Sequence, residues 1–256
     1  MSATIKIKPG VMGILQQCKV VDSQLFLPEV QLDRKIYTEV DKVLKAMGGK
    51  WNRNIKAHIF DSDPTELLLQ AIITGEVTDQ KKAFSFYPTP QFMAADMIRM
   101  AKIEPGMCIL EPSAGHGHIV SELALHGYTH NCHVDICELR DGWGREVANK
   151  YDVCFTNADF LTFHPGQIYD RILANPPFDK QADIIHVDHM LDCLKPQGVL
   201  VSVMSAGIDF RVNKRVKDLL ERLESECAWK LIQNEKGSFA DSGTMVNTVL
   251  LYAKKY

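Results

Sequence analysis

The apolar residues of this chain change period along its length. Between residues 33 and 75 they recur at helical spacing, with Ile36, Val40, Val43, Leu44 and Met47 on one face before Gly48-Gly49 ends the run. The next stretch, WNRNIKAHIF, alternates weakly, as a hairpin or short strand pair does. Asp63-Pro64 followed by Glu66 reads as a helix start, with Asp63 as the cap and Glu66 closing a capping box. Leu67, Leu68, Ala71 and Ile72 continue that helix and Gly75 stops it. The pattern predicts a small helix–hairpin–helix unit. Residues 76–83 are polar and read as a linker, so the chain is expected to divide into a small α+β unit over 1–83 and a larger domain over 84–256.

Beyond the linker, strand and helix patterns take turns. Strands are expected at 107–111, 132–137, 153–156, 171–174 and 198–204, with a closing pair at 229–235 and 244–253. Helices fit at 91–101, 118–126, 144–150, 182–193 and 213–224. Strands alternating with helices predict an α/β fold with a parallel sheet covered on both faces. The closing pair, with its short connection, predicts an antiparallel hairpin at one edge. Such sheets bind ligands beyond the carboxyl ends of their strands. Two unusual segments fall there: EPSAGHGH at 111–118, after the first strand, and NPPF at 175–178, after the fourth.

The chemistry of the first segment narrows the ligand. Gly115 and Gly117 permit a tight turn and let a ligand touch the main chain. The spacing is neither G-x-G-x-x-G nor a phosphate loop ending in Gly-Lys-Ser/Thr. Glu111 puts a carboxyl group in the crevice, and Glu138 in DICEL and Asp159 in NADF put two more at the next strand ends. Three acids with few phosphate-cradling features suit a ligand that carries a cation and hydroxyls. S-adenosylmethionine is such a ligand, with Glu138 on its ribose hydroxyls and Asp159 accepting from its adenine amino group.

Charge and cysteine content add partners and exclusions. The 256-residue chain has a net charge of -3, which excludes a protein that is basic all over but not one with a basic face. One such face is visible. Arg34, Lys35, Lys42, Lys45, Lys50, Arg53 and Lys56 stand against Glu39 and Asp41 alone, a local charge of about +5. In its turn, GGKWNRN is expected to touch nucleic acid, with Trp51 at the tip, Lys50 and Arg53 on phosphates and Asn52 reading a base edge. Arg211, Lys214, Arg215 and Lys217 form a second basic cluster. Seven scattered cysteines without a C-x-x-C pair read as reduced thiols of a cytoplasmic protein. Cys132, His133 and Cys137 fall in a strand-like run with no second ligand pair, so no metal is expected. No signal peptide or membrane-spanning apolar run is visible.

EPSAGHG followed later by NPPF resembles the amino-group DNA methyltransferases, specifically the adenine-N6 branch, and the order of the two motifs resembles its gamma class. FYPTP at 86–90 resembles the segment that closes over the methionine part of the cofactor. GSFADSGTMVNT, from Gly237, resembles the late motif of small phage- and plasmid-borne members. The resemblance spans roughly residues 84–256. It implies a class I S-adenosylmethionine-dependent methyltransferase fold, Rossmann-like, with a mostly parallel seven-stranded sheet. It implies a cofactor held by Tyr87, Thr89, Glu111, Ser113, Ala114, Gly115, Gly117, Glu138, Asp159, Phe160 and Asn175, and catalysis by Asn175, Pro176, Pro177 and Phe178.

The exocyclic amine of adenine is a poor nucleophile that carries two donors. The Asn175 side-chain oxygen and the Pro176 carbonyl can accept both hydrogens and concentrate the lone pair toward the methyl group, while the prolines hold those acceptors still. Phe178 would stack on an adenine flipped out of duplex DNA, with Phe239 as a second aromatic. No covalent enzyme intermediate is needed. Larger members of the family append a target-recognition domain that has no counterpart here, which implies an orphan enzyme with a short or relaxed site. Methylation of RNA at adenine-N6 or guanine-N2, methylation of a protein glutamine, and a non-catalytic regulator remain open as alternatives.

Overall fold

The computed structural model describes residues 4–60, 63–78, 87–209, 213–235, 237–239 and 247–256. The chain divides into two compact units, Met1–Phe86 and Tyr87–Tyr256.

In the first unit, the expected helix–hairpin–helix is present as α2 (Arg34–Ala46), β4 (Lys50–Asn52), β5 (Ala57–Ile59) and α3 (Thr65–Thr74). Asp33 caps α2 by accepting from the Lys35 amide at 2.8 Å. Gly75 ends α3 in the left-handed conformation, with φ of 68°. The capping box at α3 does not form as expected. Asp63 accepts from the Thr65 amide at 2.8 Å, and Pro64 takes the cap position without a side-chain bond. The pattern carried no sign of the N-terminal elements β1 (Thr4–Lys6), α1 (Pro9–Leu15), β2 (Lys19–Val21) and β3 (Gln24–Phe26). These complete the unit: β2-β3-β5-β4 is a four-stranded antiparallel sheet. Residues Glu76–Thr78, expected in the linker, form β6, which pairs antiparallel with β1 (Thr4↔Thr78) and buries Val77. Val11, Leu15, Leu25, Val40, Leu44 and Phe60 share one core.

The second unit is built on a seven-stranded sheet of β7 (Cys108–Glu111), β8 (His133–Glu138), β9 (Cys154–Asn157), β10 (Tyr169–Ala174), β11 (Leu194–Ser205), β12 (Cys227–Gln233) and β13 (Thr248–Lys255). Their order is β12-β13-β11-β10-β7-β8-β9. The closing pair sits at one edge, as expected. Its last strand, however, lies inside, antiparallel to both β11 and β12.

Alternate residues of the central strands feed two cores. Ile172 and Leu200 join Ile184, Val187, Leu191, Val216 and Leu219 from α8 (Ala182–Cys193) and α9 (Lys214–Glu226). Leu173 and Val201 join Met93, Met97, Ile119 and Leu123 from α4 (Gln91–Ala101) and α5 (His118–Leu125). Both faces are therefore covered, which is why Ile172–Ala174 of β10 and Val199–Val201 of β11 are consecutive buried apolar residues. The short helix α6 (Tyr128–Asn131) precedes β8, and α7 (Asp141–Tyr151) links β8 to β9.

Candidate active site at the carboxyl ends of the strands

Chain order reverses between β7 and β10. The chain leads from β7 to β8 and β9 on one side, and from β10 to β11 on the other. This is the switch point at which α/β sheets bind ligands. The EPSAGHGH loop follows β7 and NPPF follows β10, so the two motifs stand at the carboxyl ends of neighbouring parallel strands.

The glycine-rich wall is braced by its neighbours. The amide of Ala114 donates to the Cys137 carbonyl at 3.2 Å. Gly115 and Gly117 take positive φ, 54° and 75°, and a Cβ at Gly117 would lie 2.8 Å from Val147 Cγ1. That position therefore requires glycine on both conformational and steric grounds. Glu138, only 9% exposed, accepts from Gly115 N at 2.8 Å through one carboxylate oxygen and from Arg140 N at 2.9 Å through the other. Each oxygen keeps a lone pair for a hydroxyl. Glu111 is 2% exposed, and its Oε2 has no partner among the described residues. Burial holds its carboxyl well above the usual carboxylate range, the Val120 amide opposes that shift, and the charge of Glu138 adds to it. A buried carboxyl with an unclaimed oxygen is poised for a cationic or donor ligand. Ser113 is half-buried in the same loop and Ala114 is buried.

Asp159 is exposed and spends one oxygen on the Leu161 amide at 3.0 Å, capping the turn at Phe160–Thr162. Phe160, expected against the cofactor, is buried, with its ring 4.8 Å from that of His189. Sequence reasoning missed two features of this wall. Leu139, next to Glu138, is a 57% exposed apolar side chain, and its carbonyl accepts from Asn157 Nδ2 at 3.0 Å. The ring of His116 lies 3.9 Å from that of Trp143, and the Arg140 guanidinium sits 3.9 Å over Trp143. Burial brings Arg140 down to about 10, against the opposing pull of Glu138. A leucine directly after the strand-end acid was the available sequence signal for the first; nothing local signals the second.

The opposite wall is NPPF. Asn175 Nδ2 donates to the Tyr87 carbonyl at 2.9 Å and to Thr89 Oγ1 at 3.0 Å. A carbonyl can only accept, so the amide sense is fixed and the Asn175 oxygen faces away from this pair. Among the described residues no hydrogen bond ends on Asn175 Oδ1 or on the Pro176 carbonyl. Pro176 is buried and Pro177 half-buried. Tyr87 and Phe178 are half-buried at the margin of the core that contains Met93 and Phe239. Phe239, expected as a second aromatic against the base, is fully buried in that core. The segment after NPPF is anchored by Asp183, also missed: its Oδ2 accepts from the Ser205 amide at 2.9 Å and the Ser205 hydroxyl at 2.8 Å, tying α8 to the end of β11.

Arg211 falls outside the described residues, as do Phe86 of FYPTP and residues 240–246 of the late motif. Lys214 is exposed at the first position of α9. In the first unit, Arg53 is exposed in the β4–β5 turn, whereas Lys50, expected at the hairpin tip, is exposed at the far end of β4, where it pairs with Ile59. The side-chain oxygen of Asn52 accepts from the Asn54 amide at 2.9 Å and from the Ile55 amide at 3.4 Å, which leaves its NH2 to read a base edge. Trp51 is half-buried between Tyr37 and the buried His58. At the amino ends of the strands, far from the crevice, His133 pairs with Asp135 at 3.0 Å. All seven cysteines are free thiols. Burial pushes Cys18 and Cys193 up to about 11 and Cys137 up to about 12, which keeps them protonated near neutral pH. Among the described residues no helix is long and apolar enough to cross a membrane.

No protein-family model matches the sequence, and no curated protein matches it. Solved structures do. The chain is similar to a type I restriction-modification methyltransferase subunit from Streptococcus thermophilus, with a TM-score of 0.56 at 20% identity over 66% of this chain and 45% of that one. It is similar to a modification subunit assigned to a type I restriction enzyme from Vibrio vulnificus YJ016, with a TM-score of 0.57 at 14% identity over 89% of this chain and 59% of that one. It is also similar to the 23S rRNA methyltransferase ErmE, with a TM-score of 0.52 at 16% identity over 67% and 70% of the two chains. The chain spans about half the length of the two restriction-modification subunits. The second unit has the class I S-adenosylmethionine-dependent methyltransferase fold, as the sequence led us to expect.

Proposed function

We propose that the protein transfers a methyl group from S-adenosylmethionine to the N6 amine of adenine in DNA. The observation that carries this reading is the Asn175 carboxamide, whose nitrogen is tied down while its oxygen, and the Pro176 carbonyl beside it, are left as acceptors. An exocyclic amine offers the two donors that such a pair takes.

The crevice fits the cofactor: Glu111 has an unclaimed buried oxygen and Glu138 has lone pairs to spare at the braced glycine loop. When bound, the cofactor supplies an electrophilic methyl group on a sulfonium. Asn175 Oδ1 and the Pro176 carbonyl take the two amine hydrogens and orient the nitrogen lone pair. The proline-fixed backbone means that little reorganisation is needed as charge develops. Phe178 gives the flipped base an apolar face. The amine loses its proton only after methylation, so no side chain has to be a strong base, and the protonated thiols are not required.

DNA as the substrate is supported by the basic first unit. Arg34, Lys35, Lys42, Lys50, Arg53 and Lys56 form no ion pair among the described residues, whereas Lys45 is paired with Asp41 at 2.7 Å. The resemblance to small adenine-N6 enzymes, and the type I restriction-modification subunits among the similar structures, support it further. That resemblance also supports an orphan enzyme, and the free, scattered cysteines support the cytoplasm as its place of work.

The test is Asn175→Ala. Turnover is expected to fall about a hundredfold or more, the scale for losing one preorganised electrostatic group, with the S-adenosylmethionine Kd from calorimetry essentially unchanged. A collapse of cofactor affinity with turnover per bound complex intact would mean that Asn175 serves the cofactor alone.

A further inference from the structure

We infer that Thr89 is a positioning residue for methyl transfer, acting through Asn175; this rests on the role proposed for Asn175 above. A side-chain amide turns about a broad terminal torsion, and its two orientations differ little in shape but wholly in chemistry. The Tyr87 carbonyl accepts one N–H of Asn175 and sets the sense of the amide. Thr89 Oγ1, at 3.0 Å, accepts the other. Without that second acceptor, a free Asn175 N–H would compete with the donors of the substrate amine, and the amide could swing off its plane. Thr89 is suited to the task. It is 5% exposed, and it stands between Pro88 and Pro90, whose rings fix the backbone on both sides.

This differs from the contact that the FYPTP resemblance implies, in which Thr89 holds the carboxylate of the cofactor. The two roles separate kinetically. A cofactor contact shows in Kd; a positioning contact shows in kcat.

The experiment compares Thr89→Val, which keeps the branched shape and removes the acceptor, with Thr89→Ser, which keeps the acceptor. Methyl transfer is measured on whichever of DNA or RNA the wild type labels, and the cofactor Kd by calorimetry. The valine variant is expected to lose about five- to tenfold in kcat, the equivalent of one neutral hydrogen bond, with Kd unchanged, while serine stays within about twofold of wild type. A valine variant with wild-type kcat, or one that loses cofactor affinity at wild-type kcat, overturns the inference. Wild-type labelling of RNA alone would defeat the DNA reading and leave Thr89 to be judged by its own numbers. A second readout needs no turnover: the 15N side-chain amide signal of Asn175, assigned by its loss in Asn175→Ala. It is expected to be protected from solvent exchange in wild type and Thr89→Ser and to exchange faster in Thr89→Val. Equal exchange in all three overturns the inference.

Discussion

Glu111 is the residue whose behaviour in the ligand-free protein reports most directly on the crevice. Burial, seconded by the charge of Glu138, raises its carboxyl above the ordinary 4.5. A group whose folded value lies above its unfolded one stabilises the fold fully only below the unfolded value, and that contribution is lost as pH rises toward the folded one. Glu111→Gln cannot ionise. Its unfolding free energy relative to wild type should therefore be flat below about pH 4.5 and move in the variant's favour as pH climbs above it. Denaturant titrations at a series of pH values measure this, and a relative stability independent of pH from 4 to 8 would contradict the burial of Glu111 as a neutral acid. The strand-end positions of Glu111, Glu138 and Asn175 were legible in the sequence, because apolar runs announce where their strands stop. Partners were not. That Asn52 spends its oxygen on its own turn, that Phe160 and Phe239 lie in the core, and that Asp183 reaches Ser205 are facts of three-dimensional proximity.

Among elements, the junction of the glycine loop with α5 has the least tolerance. Gly117 combines a φ of 75° with a Cβ direction blocked by Val147 on α7. Gly117→Ala is expected to cost about 1–2 kcal/mol from the left-handed backbone alone, plus the clash. Adding Val147→Ala should return the steric part and leave the backbone part. Thermal unfolding of both variants checks this; full recovery in the double variant would mean that conformation matters less than space. Long elements were legible from the sequence: α4 and α8 fall at 91–101 and 182–193 as read, each with a sustained apolar stripe to announce it. The short ones were not. Three-residue strands such as β1 and β6 carry too little pattern for a period to show, and their pairing joins residues more than sixty positions apart. Asp63 misled for a related reason, since a side chain that caps can equally make a tight turn one residue early.

For the whole molecule, the net charge of -3 conceals the local excess of cations between Arg34 and Lys56. If that surface holds nucleic acid, Lys50→Ala with Arg53→Ala should weaken binding evenly across sequences. It should also lower the slope of log affinity against log salt by about 2, close to one per lost phosphate contact, with cofactor affinity unchanged. An unaltered salt slope would move the contact surface elsewhere.

The most direct test of the central claim uses purified protein and tritium-labelled S-adenosylmethionine. The protein is offered duplex DNA, single-stranded DNA, structured RNA and a protein mixture, and the labelled product is digested to nucleosides or amino acids. The account predicts label in N6-methyladenine from DNA. Label confined to RNA or to protein glutamine, or none at all from protein that still binds the cofactor, would contradict it.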